Sequence, residues 1–191
     1  MNIRLPFLAT LGVAILAGSF AIFRVNAAGP VAPVTGVIKE TRWDDLVPKE
    51  WDPLKRFRNA ADPSMMNDSN PRVLEMMREM REAWDNAPTN AKMDGVAVKL
   101  PGYVVPLEEV KGELTEFLLV PYFGACIHTP PPPANQIVHV VASKPLKGLR
   151  MMDAIWASGT LRTQRENSVM GMSGYHLEGA VLERYTPPAR P

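Results

Sequence analysis

Cys126 is the only cysteine of the chain and stands two residues before His128, one of only three histidines. Side chains of an extended segment alternate, so the two would project from one face, within reach of a single ion or of each other. A thiolate with an imidazole suits zinc or copper(I) and suits magnesium or calcium poorly. A structural zinc site takes four ligands, so two more have to come from elsewhere. His176 is the first candidate, followed by Met170 and Met172, whose spacing puts both sulfurs on one side of an extended segment. A Cys, His and Met set would favour copper(I); a Cys, two His and a carboxylate would favour zinc. His139 alternates with Val138 and Val140 and reads as a solvent-facing strand residue with a structural role. The plain alternative for Cys126 is burial as a small hydrophobe.

The same pair admits a nucleophile reading. An imidazolium beside a thiol lowers its pKa and supplies thiolate at neutral pH, and free N–H groups of Gly124 and Ala125 would serve as an oxyanion hole. The chain has no Cys-x-x-Cys motif, and a base and nucleophile two strand positions apart are an uncommon arrangement. A binding protein without turnover is favoured over a cysteine-dependent enzyme, and no catalytic residue is assigned. Pro130, Pro131, Pro132 and Pro133 come directly after the pair. They must adopt polyproline II, a rod that costs little entropy to fix. Such a rod can hold the Cys126–His128 segment in one geometry, or dock in an aromatic groove of a partner. Asn135 and Gln136 close the motif with amides able to tie loop backbone groups.

The elements that would position these residues start after an export signal. Arg4 gives a positive start, residues 5–23 are almost wholly apolar, and Val25-Asn26-Ala27 offers a small-residue cleavage pattern. The apolar run is also long enough for a short transmembrane anchor. Residues 1–28 are therefore a signal peptide or an N-terminal membrane anchor, and the membrane is a partner only through them. A lipoprotein is excluded, since no cysteine lies near the signal. Loss of Arg4 and Arg24 from the 21 basic and 20 acidic side chains leaves a nearly neutral protein. That balance argues against nucleic acid as a partner. Roughly 160 residues remain, enough for one domain burying about two-thirds of its unfolded surface. A lone cysteine permits no internal disulfide.

Residues 29–41, with Pro30 and Pro33, read as a linker. Residues 42–93 read as an irregular and helical segment packed on a strand-rich second half. Trp43 and Trp51, beside Asp and Pro, are aromatic anchors of the irregular part. Asn70 and Pro71 open a helix with Val73, Met77, Met80 and Trp84 on one face and Pro88 beyond its end. The methionines there read as core filling. From residue 94 to 186 the pattern is of strands. Residues 95–106 form a bent strand broken at Pro101-Gly102, residues 107–116 a connecting turn, and residues 117–120 a short apolar strand. Residues 137–142, 154–161 and 175–184 supply three more. Five strands with a glycine in the first and fourth match a small OB-like barrel. The fold class is thus mainly β with one or two helices: a five-stranded OB-like barrel preceded by a helical and irregular segment, with residues 187–191 as a tail.

Two stretches carry a family resemblance: Leu100-Pro-Gly-Tyr-Val-Val-Pro-Leu107 and Pro121-Tyr-Phe-Gly-Ala-Cys-Ile-His-Thr-Pro-Pro-Pro-Pro-Ala-Asn-Gln136. Together with Trp43-Asp-Asp-Leu-Val-Pro48 they resemble a family of exported bacterial proteins of unknown function. The resemblance implies a periplasmic or cell-envelope location and, for some members, a setting beside ABC-type transport and metal-uptake systems. It implies no site residues. The functional expectation is an envelope accessory protein that assists zinc or copper transport through Cys126, His128 and His176. The alternative is an interaction module that docks on an ABC-type transporter through its proline loop.

Overall fold

The computed structural model describes residues 38–52, 55, 71–125 and 131–186. The expected signal segment, most of the linker, Asn70, the tail and residues 126–130 lie outside them. Five strands close into a barrel: β2 (Ala97–Val110), β3 (Glu113–Val120), β4 (Val138–Ala142), β5 (Ala154–Arg162) and β8 (Tyr175–Arg184). They run in the order β2-β3-β4-β8-β5, and β2 pairs with β5 to complete the ring. All neighbours are antiparallel except β4 and β8. Short β1 (Lys39–Glu40) lies parallel to β2 at Val98 and Lys99. A hairpin of β6 (Glu166–Ser168) and β7 (Gly171–Ser173) forms a separate two-stranded sheet. The OB-like barrel expected from the strand pattern is therefore the architecture.

One strand serves both halves of the barrel because of its glycine. Residues 97–103 of β2 pair with β5, and residues 103–110 pair with β3. At the crossover, a Cβ on Gly102 would sit 2.7 Å from Leu119 Cγ and 2.9 Å from the Val120 carbonyl oxygen. Only glycine admits that approach. The β2–β3 connection is tighter than the ten-residue turn expected for residues 107–116. Both strands continue to a two-residue turn at Lys111 and Gly112, with φ of 54° and 80°. Two successive positive φ values match the right-handed strand twist, and Glu108 and Glu109 are exposed strand positions.

The interior is filled by alternate residues of all five strands, among them Val104, Phe117, Val140, Ile155 and Leu177, each fully buried. The segment before the barrel contributes to it. Trp43 opens a 3-10 turn (Trp43–Leu46) and donates its indole Nε1–H to the Pro101 carbonyl at 2.7 Å. Leu46 enters the core and is wholly inaccessible, a burial worth about 1.5–3 kcal/mol. Tyr175 locks it there: its hydroxyl donates to the Leu46 carbonyl at 2.6 Å and accepts the Asn90 N–H at 2.6 Å. Burial pushes the Tyr175 hydroxyl up to about 12, against the opposing bond from Asn90.

Helix α1 (Pro71–Asp85) begins with the proline in its first turn. The core-filling role expected of its methionines needs correction. No α1 residue is fully buried, and Met77 is 52% exposed. Val73, Met76, Met80 and Trp84 are half-buried. The helix lies on the outside of an already closed barrel, so its apolar stripe is only partly covered. Its C-terminal end is held by Arg165, whose guanidinium donates to the carbonyls of Asp85 and Ala87.

Candidate metal centre

Barrel strands expose alternate residues on the outer face, and here that face is covered rather than open. Leu118, Val120, Val105 and Ile137 form a second apolar cluster outside the barrel, with Met170 of the β6–β7 turn packed against it. Beside this cluster runs a row of polar side chains. His139 of β4 stands in register with Leu118 of β3 and with His176 of β8, and His176 with Arg162 of β5. Val138 and Val140 point inward to the core, so His139 does alternate to the outer face. It is nevertheless only 3% exposed, which corrects the solvent-facing reading. A second layer, including Glu166 of the hairpin, lies over it.

The geometry around His139 is close. Its Nδ1 lies 3.0 Å from Nδ1 of His176 and 3.1 Å from Oε2 of Glu166. Its Nε2 lies 2.7 Å from Oε1 of Glu116 on β3. The ligating atoms of His139, Glu166 and His176 all fall within 4.8 Å of one another. Two imidazole nitrogens bound to one tetrahedral zinc lie roughly 3.3 Å apart; the His139–His176 contact, at 3.0 Å, is within hydrogen-bond distance and close to that spacing. The two carboxylates supply a negative local charge. Burial pushes the His176 imidazole below its ordinary pKa and His139 adds to this, while Glu166, Glu178 and Glu116 oppose it. The net effect favours neutral imidazole, the form that ligates metals.

Of the residues expected to form the site, Cys126, His128 and Pro130 lie outside the described residues. His176 is brought to His139 and Glu166. Met170 and Met172 do not lie on one extended segment, because residues 169 and 170 form the hairpin turn. Both line, with Pro131, Arg81 and Asp85, a cleft of about 470 Å³ outside the His139 cluster. In the proline loop Pro132 is buried, and Pro131 and Pro133 are half-buried. Asn135 donates its Nδ2–H to the Pro88 carbonyl at 3.0 Å, tying the loop to the end of the helical segment. Gln136 lies in a 3-10 turn (Ala134–Gln136) whose backbone bonds Pro133 at 2.7 Å. The oxyanion-hole expectation is corrected: the Gly124 N–H faces Met152 Sδ at 3.3 Å, and the Ala125 N–H bonds the Tyr122 carbonyl at 3.4 Å.

Sequence reasoning missed Glu166 and Glu116 as site residues and set His139 aside. Strand alternation placed His139 and His176 on faces, but their pairing needs the parallel β4–β8 register. Glu166 opens the three-residue strand β6, which has no motif of its own, and no sequence signal marks it.

Comparisons with known proteins agree on the fold and leave the activity open. A family model described as "Protein of unknown function (DUF3299)" matches residues 43–184. A crystal structure of a DUF3299 family protein from Pseudomonas aeruginosa PAO1, at 2.45 Å resolution, is 33% identical. It superposes with a TM-score of 0.59 over 79% of this chain and 98% of that one. The chain matches none of the curated proteins with which it was compared.

Proposed function

The chain belongs to the DUF3299 family, whose function is unknown, and from its own side chains we propose that it is a transition-metal-binding accessory protein of the cell envelope. The observation that carries the reading is the convergence of His139 Nδ1, His176 Nδ1 and a Glu166 carboxylate oxygen on one point. Two nitrogens and one oxygen suit zinc, and offer no thiolate for copper(I). Three protein ligands leave a coordination position open. Such a site holds an ion that exchanges with water or with a ligand from a partner, as a protein that passes metal to a transport system requires. Cys126 and His128 are further donors of the right type and remain part of the proposal. The buried Pro132 and the Asn135–Pro88 bond favour a scaffolding role for the proline loop over docking.

The test is a zinc titration of the purified, reduced protein by calorimetry at neutral pH, with a competing chromophoric chelator. The expected result is one equivalent bound with a dissociation constant near or below about 1 μM. His139→Ala with His176→Ala should weaken it by roughly 100-fold or more. Cys126→Ala with His128→Ala separates the two donor sets. Wild-type protein that fails to bind zinc at about micromolar concentration sinks the reading, as does a His139/His176 double variant that binds normally.

A further inference from the structure

We infer that Glu116 is a positioning residue that fixes the tautomer of His139 and so turns its Nδ1 into a metal ligand. This rests on the metal reading above. A neutral imidazole carries one N–H. An ionised carboxylate only accepts, so the 2.7 Å contact between Glu116 Oε1 and His139 Nε2 places the proton on Nε2. Nδ1 then presents a lone pair. Around that lone pair stand Glu166 Oε2 at 3.1 Å, another pure acceptor, and His176 Nδ1 at 3.0 Å. The His139 lone pair and the Glu166 carboxylate repel in a site where His139 is almost fully buried, and a cation between them relieves both. The pattern is that of a carboxylate–histidine–metal relay, in which the outer carboxylate sets ring orientation and raises ligand basicity.

The fold supports the assignment. Glu116 and Leu118 share the outer face of β3, and Leu118 is the register partner of His139. Glu116 is therefore one diagonal step from the imidazole and reaches its far nitrogen, while Glu166 reaches the near one from the hairpin. The carboxylates thus have different tasks: Glu166 touches the ion and Glu116 does not. Without Glu116 the proton is free to move to Nδ1. There it satisfies Glu166 or His176 directly and occupies the place of the ion.

Two variants test this, Glu116→Gln and Glu116→Ala, with the metal-free and zinc-loaded protein. Nitrogen chemical shifts of His139 in the metal-free wild type, followed across a pH series, should report a neutral ring with protonated Nε2 and bare Nδ1. In Glu116→Ala the Nδ1–H form should appear. Zinc affinity should fall about 10–100-fold in both variants, with circular dichroism unchanged. A wild type that binds zinc while both variants bind as tightly, with the same tautomer, overturns the role of Glu116 and leaves the metal site standing. A neutral His139 ring that carries its proton on Nδ1 in the metal-free wild type also overturns it. Failure of the wild type to bind zinc removes both readings together.

Discussion

Tyr175→Phe should cost the protein about 3 kcal/mol. The phenol is fully buried and joins three parts of the chain, with β8 supplying the ring, Leu46 the acceptor and Asn90 the donor. Phenylalanine fills nearly the same volume, so no cavity is added and the loss isolates the hydroxyl. Each bond at 2.6 Å contributes roughly 0.5–1.5 kcal/mol net, and an unsatisfied buried group costs roughly 1–3 kcal/mol. The Leu46 carbonyl has no route to water in its buried setting, whereas the half-buried Asn90 N–H can recover part of its loss. The combined loss is about 2–4 kcal/mol, which for a domain of this size lowers Tm by roughly 4–16 °C. The pH dependence gives a second reading. The folded-state pKa, about 12, lies above the ordinary value of 10.0, so the neutral phenol stabilises the fold below pH 10. That stability is lost as pH rises from 10 towards 12, a difference on the order of 3 kcal/mol. Urea unfolding at pH 7 and pH 11 measures both. A variant within about 0.5 kcal/mol of wild type at pH 7, or one with the same alkaline loss as wild type, refutes the reasoning.

The remaining predictions concern the backbone. Gly159→Ala should destabilise by about 1–3 kcal/mol, because its Cβ would lie 2.6 Å from the Glu178 carbonyl oxygen and 3.0 Å from Leu177 Cγ; thermal unfolding within experimental error of wild type would contradict it. Lys111→Asn should stabilise by about 0.5–1 kcal/mol, since asparagine tolerates the positive φ of 54° better than lysine and creates an Asn-Gly turn; a rise in urea midpoint at unchanged slope is the expected signature.

What could be read along the chain was local and periodic. The strand at residues 175–184, the glycines in the first and fourth barrel strands and Pro71 at the start of α1 come from alternation, turn chemistry and proline geometry, which act over a few residues. Those rules were enough to give an OB-like barrel, because strand number and glycine position restrict how a small sheet can close. They stopped short at α1, where helical periodicity looks the same whether the stripe faces a core or half-covers a finished barrel. They stopped short again at His139. Alternation put it on the face opposite Val138 and Val140, but only the second layer decides whether that face meets water.

The donor set shows the division most plainly. Residue type alone identified the rare histidines and pointed to a borderline or soft metal. Which donors meet is a matter of register: β4 and β8 are neighbours only because β8 returns parallel to β4, setting His176 beside His139 across 37 residues. Glu116 and Glu166 arrive from an adjacent strand and from a hairpin folded over the barrel, contacts whose sequence separation leaves no periodic trace. The chain by itself determined the barrel and marked His176 as a candidate donor. Tertiary structure decided which side chains converge, because convergence depends on strand order and on a second layer, and neither is a property of any short segment.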